Sequence, residues 1–336
     1  MKEFIINLND SGQRLDKFLT KAVKALPKNL MYKYIRLKRI KLNGKRCEIS
    51  TKLNEGDILQ LYINDEFFDD VSNNKMAFLK APSDIDVVYE DDNILLINKK
   101  CGLVVHEDSN NTPDTLINRV RHYLYNKGDY DPESELSFAP ALCNRIDRNT
   151  SGIVICAKNA ESLRILNEKI KNRELHKKYL CITISNPPKD KDTLTAYLEK
   201  DESTNTVKVS NHKTSHNKTI ITKYNVIKRN KNLALLDIDL ITGRTHQIRA
   251  HLAYIGCPLL GDGKYGINRV NRAYNIKTQA LCSYKLEFDF SLDSGILNYL
   301  DKKAFEIKDI WFVKEFFNNC YEFYIKTIAF SINYMV

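Results

Sequence analysis

Between Asn64 and about Pro82 the chain loses every hydrophobic period, and this break limits what it can fold into more than any other feature. Asp65, Glu66, Asp69 and Asp70 are followed by Ser72-Asn73-Asn74, with no apolar repeat among them. The stretch reads as an interdomain linker over residues 65–83. It divides the 336 residues into a small unit, 1–64, and a large one, 84–336. A chain of this length ordinarily forms two or three domains and buries a sizeable core.

The small unit opens with an amphipathic pattern. Leu15, Phe18, Leu19, Ala22, Val23 and Leu26 share one face of a helix predicted from Arg14 to Leu26 and closed by Pro27. A second short helix is expected to begin after Asn29, as N-cap, and to run to about Lys38. Strands over Ile40–Leu42 and Arg46–Ile49 flank Asn43-Gly44, a tight-hairpin dipeptide. Gly56-Asp57 then turns into a strand over Ile58–Ile63. From Ser11 to Lys52 there are 13 lysines or arginines against 2 acids. A charge run is often only a solvated face. Basic residues crowding one helix-helix-hairpin unit with so few acids also make a phosphate-binding surface that acts by counterion release. Arg14, Lys38, Arg39, Lys41 and Lys45 are its candidate phosphate contacts.

The whole chain carries a formal net charge of +10, which favours polyanionic partners, nucleic acid or an anionic membrane surface. Richness in Lys, Asn and Ile also fits genome composition, so charge alone does not decide. No segment reaches the roughly 20 apolar residues of a bilayer span, and the start, with Glu3 and a short apolar run, is not a secretory signal. Eight scattered cysteines form no CxxC pair. The expectation is a reducing cytoplasm, with no membrane, no zinc and no disulfides.

In the large unit, strands are expected at Val87–Tyr89, Ile94–Asn98, Ile153–Ala157, Tyr179–Ile184, Thr219–Val226, Leu233–Leu240 and Leu281–Phe288. Helices are expected over Thr115–Leu124 and Ala160–Asn172. Strands of mixed spacing with interspersed helices indicate an α+β fold. There is no Walker loop and no repeat. The apolar end, Tyr324–Val336, reads as a packing segment.

Three segments carry chemistry. The first is Asn144-Arg145-Ile146-Asp147-Arg148-Asn149-Thr150-Ser151-Gly152, running into the apolar Ile153–Ala157. An aspartate between two arginines on a loop entering a buried strand is an electrostatically primed carboxylate, or else part of a surface salt-bridge loop. Gly152 permits an unusual backbone turn beside it. The second is His176-Lys177-Lys178-Tyr179-Leu180, where a tyrosine is ordinarily a half-buried strand residue. The third runs from Leu240 through Gly243-Arg244-Thr245-His246-Gln247-Ile248-Arg249-Ala250-His251. Its cations can bind phosphate or pair with a carboxylate. His246 and His251 are five apart rather than four, without an intervening glutamate, which argues against a zinc pair.

Residues 145–152 resemble the signature of the RluA-type pseudouridine synthases, and Ile241 to His251 resembles their third motif, continued by Gly256 to Gly266. Val88 to Asp92, Asn98-Lys99 and Gly102 to His106 resemble the opening of the same catalytic domain. These motifs keep the family's order across roughly residues 84–290. The front unit resembles the alpha-L RNA-binding domain best known from a small-subunit ribosomal protein.

The resemblance implies a mixed, mainly antiparallel bent sheet with flanking helices, and an isomerase that needs no cofactor. Asp147 would be the essential carboxylate, Arg249 its ion partner, and Tyr179 the ring packed on the target base. Asp147 would either attack the ribose anomeric carbon or take a proton from the neighbouring sugar carbon. Arg145 and Arg148 would contact RNA or fix the loop, and Arg244 and His246 would also contact RNA. Large-subunit ribosomal RNA is the expected substrate and transfer RNA the alternative, for a monomer. A non-catalytic RNA-binding protein on the same scaffold is the other reading. A hydrolase fits less well, since the common type needs two carboxylates flanking the bond. Asn144, Lys100-Cys101 and Cys282 depart from the commonest family residues and bear on subgroup and substrate.

Overall fold

Residues 1–68, 75–107, 112–201 and 203–317 are described by a computed structural model of the chain. Asp69, Asp70, Ser72 to Asn74 of the predicted linker, and the apolar end Tyr324–Val336, lie outside the described residues.

The front unit comprises β1 (Lys2–Ile5), α1 (Leu15–Ala22), α2 (Lys28–Arg36), β2 (Ile40–Leu42), β3 (Lys45–Arg46) and β4 (Ile58–Leu61), with strand order β1-β4-β2-β3. Its core gathers the predicted apolar face of the first helix with Met31, Ile35, Ile40, Leu59 and Leu61. The hairpin forms at Asn43 (φ 51°) and Gly44 (φ 72°), both left-handed, as a two-residue turn requires. Two expectations are corrected. The first helix stops at Ala22, because Val23 leaves helical geometry (φ −124°, ψ 70°). Pro27, not Asn29, therefore caps the start of α2 rather than closing α1, a position where its missing N–H costs nothing, and Asn29 lies inside the helix. The N-terminal β1, not foreseen, pairs antiparallel with β4.

The large unit contains β5 (Val87–Glu90), β6 (Ile94–Lys99), α3 (Leu116–Lys127), β7 (Ala141–Leu142), β8 (Ser151–Ala157), α4 (Ala160–Lys171), β9 (Leu175–Thr183) and β10 (Lys191–Asp201). It continues with β11 (Thr206–Ser210), β12 (Lys218–Asn230), β13 (Leu233–Leu240), α5 (Gln247–Tyr254), α6 (Asn268–Ala273), β14 (Leu281–Phe288), β15 (Ala304–Glu306) and α7 (Trp311–Phe317). The sheet runs β11-β10-β12-β13-β9-β14-β8-β6-β5, with β15 added to β14 and β7 to β8. Among the described strands β8 and β14 are the parallel pair, and the other pairings are antiparallel. This is the expected mixed, mainly antiparallel α+β fold.

Apolar side chains cover both faces of the sheet. On one, Leu166 of α4 and Phe312, Val313 and Phe317 of α7 pack with alternate residues of β8, β9 and β14. On the other, two clusters lie side by side. One joins α3 to β6 and β8, and the second joins Ile248 and Leu252 of α5 to β9 and β13. Ile146 packs against both, so the loop that carries Asp147 sits at their seam.

Candidate active site

The loop between β7 and β8 is held by its backbone and by two polar side chains. The Cys143 N–H donates to the Ile155 carbonyl at 2.7 Å, and Asn144 Oδ1 accepts the Ile155 N–H at 2.8 Å. Asn144 thus completes the strand's hydrogen bonding, which gives this departure from the family residue a structural task. The Thr150 N–H closes a turn onto the Asp147 carbonyl at 3.0 Å, and Gln279 Nε2 holds Thr150 Oγ1 at 2.7 Å. Gly152 then lets β8 touch β14. Its φ is +116°, and a Cβ there would stand 2.3 Å from the Ser283 carbonyl oxygen. No other residue fits this crossing.

Opposite the loop stands α5. Gln247 clamps the turn before it with four hydrogen bonds. Its Oε1 accepts from Thr242 Oγ1 (2.9 Å) and the Arg244 N–H (3.1 Å), and its Nε2 donates to the Ile221 carbonyl and Thr222 Oγ1, each at 3.0 Å. At the end of this turn His246 lies in the left-handed region (φ 53°), and from the helix that follows Arg249 reaches the loop.

Arg249 Nη1 donates to Asp147 Oδ2 at 2.7 Å. The rest of the guanidinium grips Asp262, Nε to Oδ2 at 2.7 Å and Nη2 to Oδ1 at 2.9 Å. The Asp262 carboxylate is wholly buried and also accepts the Lys264 and Tyr265 N–H groups. Burial alone would raise the Asp262 pKa, but hydrogen bonds and charge from Arg249 and these two amides hold it below the ordinary carboxylate range. Burial likewise opposes the Arg249 charge, and Asp262 and Asp147 more than offset it, raising its pKa. The guanidinium is therefore a fixed bridge between a structural carboxylate and a partly exposed one. The Asp147 side chain retains 26% exposure, against 7% for Arg249 and none for Asp262. Among the described residues Asp147 Oδ1 has no hydrogen-bond partner, so one oxygen is held and the other is open.

Tyr179 is buried on β9 across from Ser283, its hydrogen-bonding neighbour. Burial pushes its phenol up to about 12, Ser283 opposes the shift and the Asp147 charge adds to it. The structure thus brings Asp147, Tyr179 and Arg249 together. His246 joins them, with Nε2 3.8 Å from Asp147 Oδ2 and Nδ1 2.9 Å from the Tyr265 hydroxyl. His251 faces the Thr222 hydroxyl instead, at 3.0 Å, and burial pushes it down to about 4. Arg145, Arg148 and Arg244 are exposed, and Arg148 Nε donates to the Gly102 carbonyl at 3.0 Å.

In the front unit, Lys38, Arg39 and Lys45 are exposed, and Lys41 is half-buried. Arg39 lies over the Tyr34 ring and Lys41 over the Tyr62 ring, at 5.6 and 5.2 Å. Arg14 is already engaged by Asp16 through two hydrogen bonds of 3.0 and 3.1 Å.

Three supporting residues had no role assigned from sequence: Asp262, Gln247 and Lys99. Lys99, 1% exposed, donates to the carbonyls of Lys100, Leu103 and Arg148 at 3.0, 2.8 and 2.9 Å. Burial brings it down to about 8, against the charges of Cys101 and Asp147. It ties the loop after β6 to the loop of Asp147. All three stand within the motif strings, but their partners are distant in sequence and no local pattern names them.

Comparison with known proteins bears on this arrangement. Residues 93–254 match the family model described as RNA pseudouridylate synthase, and residues 13–59 match the S4 domain. An uncharacterized RNA pseudouridine synthase of Mycoplasma capricolum is 34% identical over 307 residues, covering 90% of this chain and 96% of that protein. The ribosomal large subunit pseudouridine synthase C of Rickettsia bellii is 32% identical over 277 residues, 79% of this chain and 87% of its own. Among solved structures, human RNA pseudouridylate synthase domain containing 4 superposes with a TM-score of 0.54 at 20% identity, covering 71% of this chain and 92% of that one, which shows a shared fold.

Proposed function

Since the chain belongs to the RNA pseudouridine synthases, which isomerise uridine to pseudouridine, and carries an S4 RNA-binding domain in front, we propose that Asp147 is its catalytic carboxylate and that large-subunit ribosomal RNA is its substrate. One observation carries the assignment of Asp147. Its Oδ2 is held by Arg249, itself locked on buried Asp262, while Oδ1 has no partner among the described residues. A carboxylate fixed at one oxygen and open at the other can attack the anomeric carbon or take a proton from the adjacent sugar carbon.

The reaction breaks the bond between uracil N1 and the ribose, turns the base, and rejoins it through carbon 5 with loss of the carbon 5 proton. A stacked uridine must first leave its stack, which costs roughly a few kcal/mol. Basic contacts elsewhere offset that cost, and we assign them to Lys38, Arg39, Lys41 and Lys45 of the front unit and to Arg145, Arg148 and Arg244 beside the site. Tyr179 supplies the ring against which the uracil turns. Its phenol, pushed up to about 12, stays protonated in the resting enzyme. Arg249 keeps Asp147 oriented. The boundaries 1–64, 65–83 and 84–336 serve as working limits of the RNA-binding unit, linker and catalytic unit, and the enzyme acts as a cytoplasmic monomer. Among the described residues no helix is long and apolar enough to cross a membrane.

The test maps pseudouridine by carbodiimide labelling and primer extension on unmodified ribosomal and transfer RNA transcripts. Sites formed in large-subunit ribosomal RNA by the wild type and absent with Asp147→Ala are expected. Sites confined to transfer RNA would overturn the substrate assignment, and sites formed equally by the variant would overturn that of Asp147.

A further inference from the structure

The His246 ring lies between two groups whose hydrogen-bonding capacities differ. On its Nδ1 side is the Tyr265 hydroxyl, at 2.9 Å. On its Nε2 side is Asp147 Oδ2, at 3.8 Å. The Tyr265 oxygen already accepts the Val207 N–H at 2.9 Å, and a backbone amide can only donate. If Nδ1 also donated to that oxygen, the tyrosine proton would have no partner among the described residues. The bare Nε2 lone pair would then face a carboxylate. With the Tyr265 proton directed at Nδ1, Nε2 carries the ring proton and presents it to Asp147. This arrangement gives the Tyr265 proton an acceptor and turns a ring proton rather than a lone pair toward Asp147 Oδ2, which at 3.8 Å is an electrostatic contact rather than a hydrogen bond. The ring's side chain is 9% exposed and its neighbourhood holds two acids, Asp147 and Asp262, and two bases, Arg249 and Lys264. Burial lowers the ring's pKa, the Asp147 and Asp262 charges oppose it, and the Arg249 and Lys264 charges add to it, so the net direction is down, toward the neutral ring.

We infer that His246 is a positioning residue for the reaction, fixed by Tyr265 as the Nε2–H tautomer so that it backs the same Asp147 oxygen that Arg249 holds. Arg249 and His246 together then leave Oδ1 as the reacting oxygen. The tyrosine is itself immobilised. Val207 belongs to β11, whose hairpin is also tied down by Lys264 Nζ on the Asn205 carbonyl at 2.7 Å, and the Arg249 guanidinium stands over the Tyr265 ring at 5.3 Å. The hydroxyl cannot swing away without breaking its backbone contact. This inference rests on Asp147 being the catalytic carboxylate.

Two measurements test it. The first is the long-range ¹H–¹⁵N correlation spectrum of the full-length enzyme labelled at its histidines, with His246 assigned by substitution. A neutral ring with Nδ1 as acceptor and Nε2 protonated is expected, whereas an Nδ1–H ring or a doubly protonated one at neutral pH would overturn the inference. The second is turnover. His246→Ala should lower kcat by about 10²-fold with KM little changed, the loss typical of a misplaced reacting group. His246→Gln, which can accept from Tyr265 and still offer an N–H to Asp147, should recover most of it, and Tyr265→Phe should lose roughly 10-fold. Wild-type kcat in His246→Ala, or equal losses in the Ala and Gln variants, would overturn the inference. Asp147→Ala separates the two levels. An active Asp147→Ala enzyme removes the catalytic assignment itself, whereas an inactive one beside an unaffected His246→Ala removes only the role given to the histidine.

Discussion

The guanidinium of Arg249 spans two carboxylates of different character, and its consequences are sharp at single residues. Asp262 is buried and holds two prongs of the fork, and Asp147 holds the third nitrogen. Removing one partner of a buried pair leaves an uncompensated charge, which costs about 3–5 kcal/mol. Asp262→Ala should therefore lower stability by that amount in a urea melt and also cut turnover, because Arg249 loses its anchor. Arg249→Lys keeps a charge but cannot bridge both acids, so kcat should fall by about 10²-fold while the fold survives. Retained kcat in Arg249→Lys would mean that charge alone suffices. Gly152→Ala is a different kind of lesion. Its Cβ would overlap the Ser283 backbone, at a φ that L residues rarely adopt. A loss of roughly 2–5 kcal/mol is expected, read from the same melts.

At the scale of elements, the helices depend on their first turns. Asn159 accepts the Ser162 N–H at 2.8 Å and Thr115 accepts the Asn118 N–H at 3.3 Å. Asn159→Ala should cost about 1 kcal/mol, seen as a fall in Tm of about 2–4 °C. Both helices were legible because apolar stripes follow such caps. The strands β6, β8, β13 and β14 were legible for a related reason, being short apolar runs buried in the middle of a sheet. α5 was not legible. Gln247 to Leu252 are all buried, so the helix shows no polar face and its hydrophobic residues follow no stripe. β10 and β11 were missed for the opposite reason, since they lie at the sheet's edge, β10 rich in Lys, Asp and Thr and β11 only five residues long. The site was half legible. Asp147, Tyr179 and Arg249 stand in motif strings, but their meeting depends on Gly152, Gln247 and Asp262, whose work is tertiary.

At the scale of the molecule, the front unit is docked on the large one through residues 9–13. Gln13 Nε2 donates to Ser137 Oγ at 2.8 Å, Ser137 Oγ donates to buried Asp10 at 2.5 Å, and the Ala160 N–H donates to Asn9 Oδ1 at 3.1 Å. Burial pushes Asp10 up, against hydrogen bonds from Ser137 and the charge of Lys21. Burial also pushes Glu135 up, with Asn9 opposing and the Asp10 charge adding. A carboxyl whose pKa is raised in the docked state binds its proton more tightly there. Its contribution is therefore greatest at acid pH and is lost as pH rises through the raised value. Glu135→Gln should melt higher than the wild type at pH 8, with the gap closing as the pH falls toward the ordinary glutamate value of 4.5. A gap independent of pH would contradict this. Docking also sets where the basic hairpin stands relative to Asp147. Neutralising Lys38, Arg39 and Lys41 together should weaken RNA binding and reduce its salt slope by about 2–3.

If Asp147 does the chemistry, release of the carbon 5 proton depends on it directly. The measurement is single-turnover tritium release from RNA labelled at uridine carbon 5, with wild type and Asp147→Ala, alongside the RNA Kd of each. Release should be abolished in the variant while Kd stays within about threefold, a change of under 1 kcal/mol. Tritium release at the wild-type rate from Asp147→Ala would rule Asp147 out as the catalytic carboxylate.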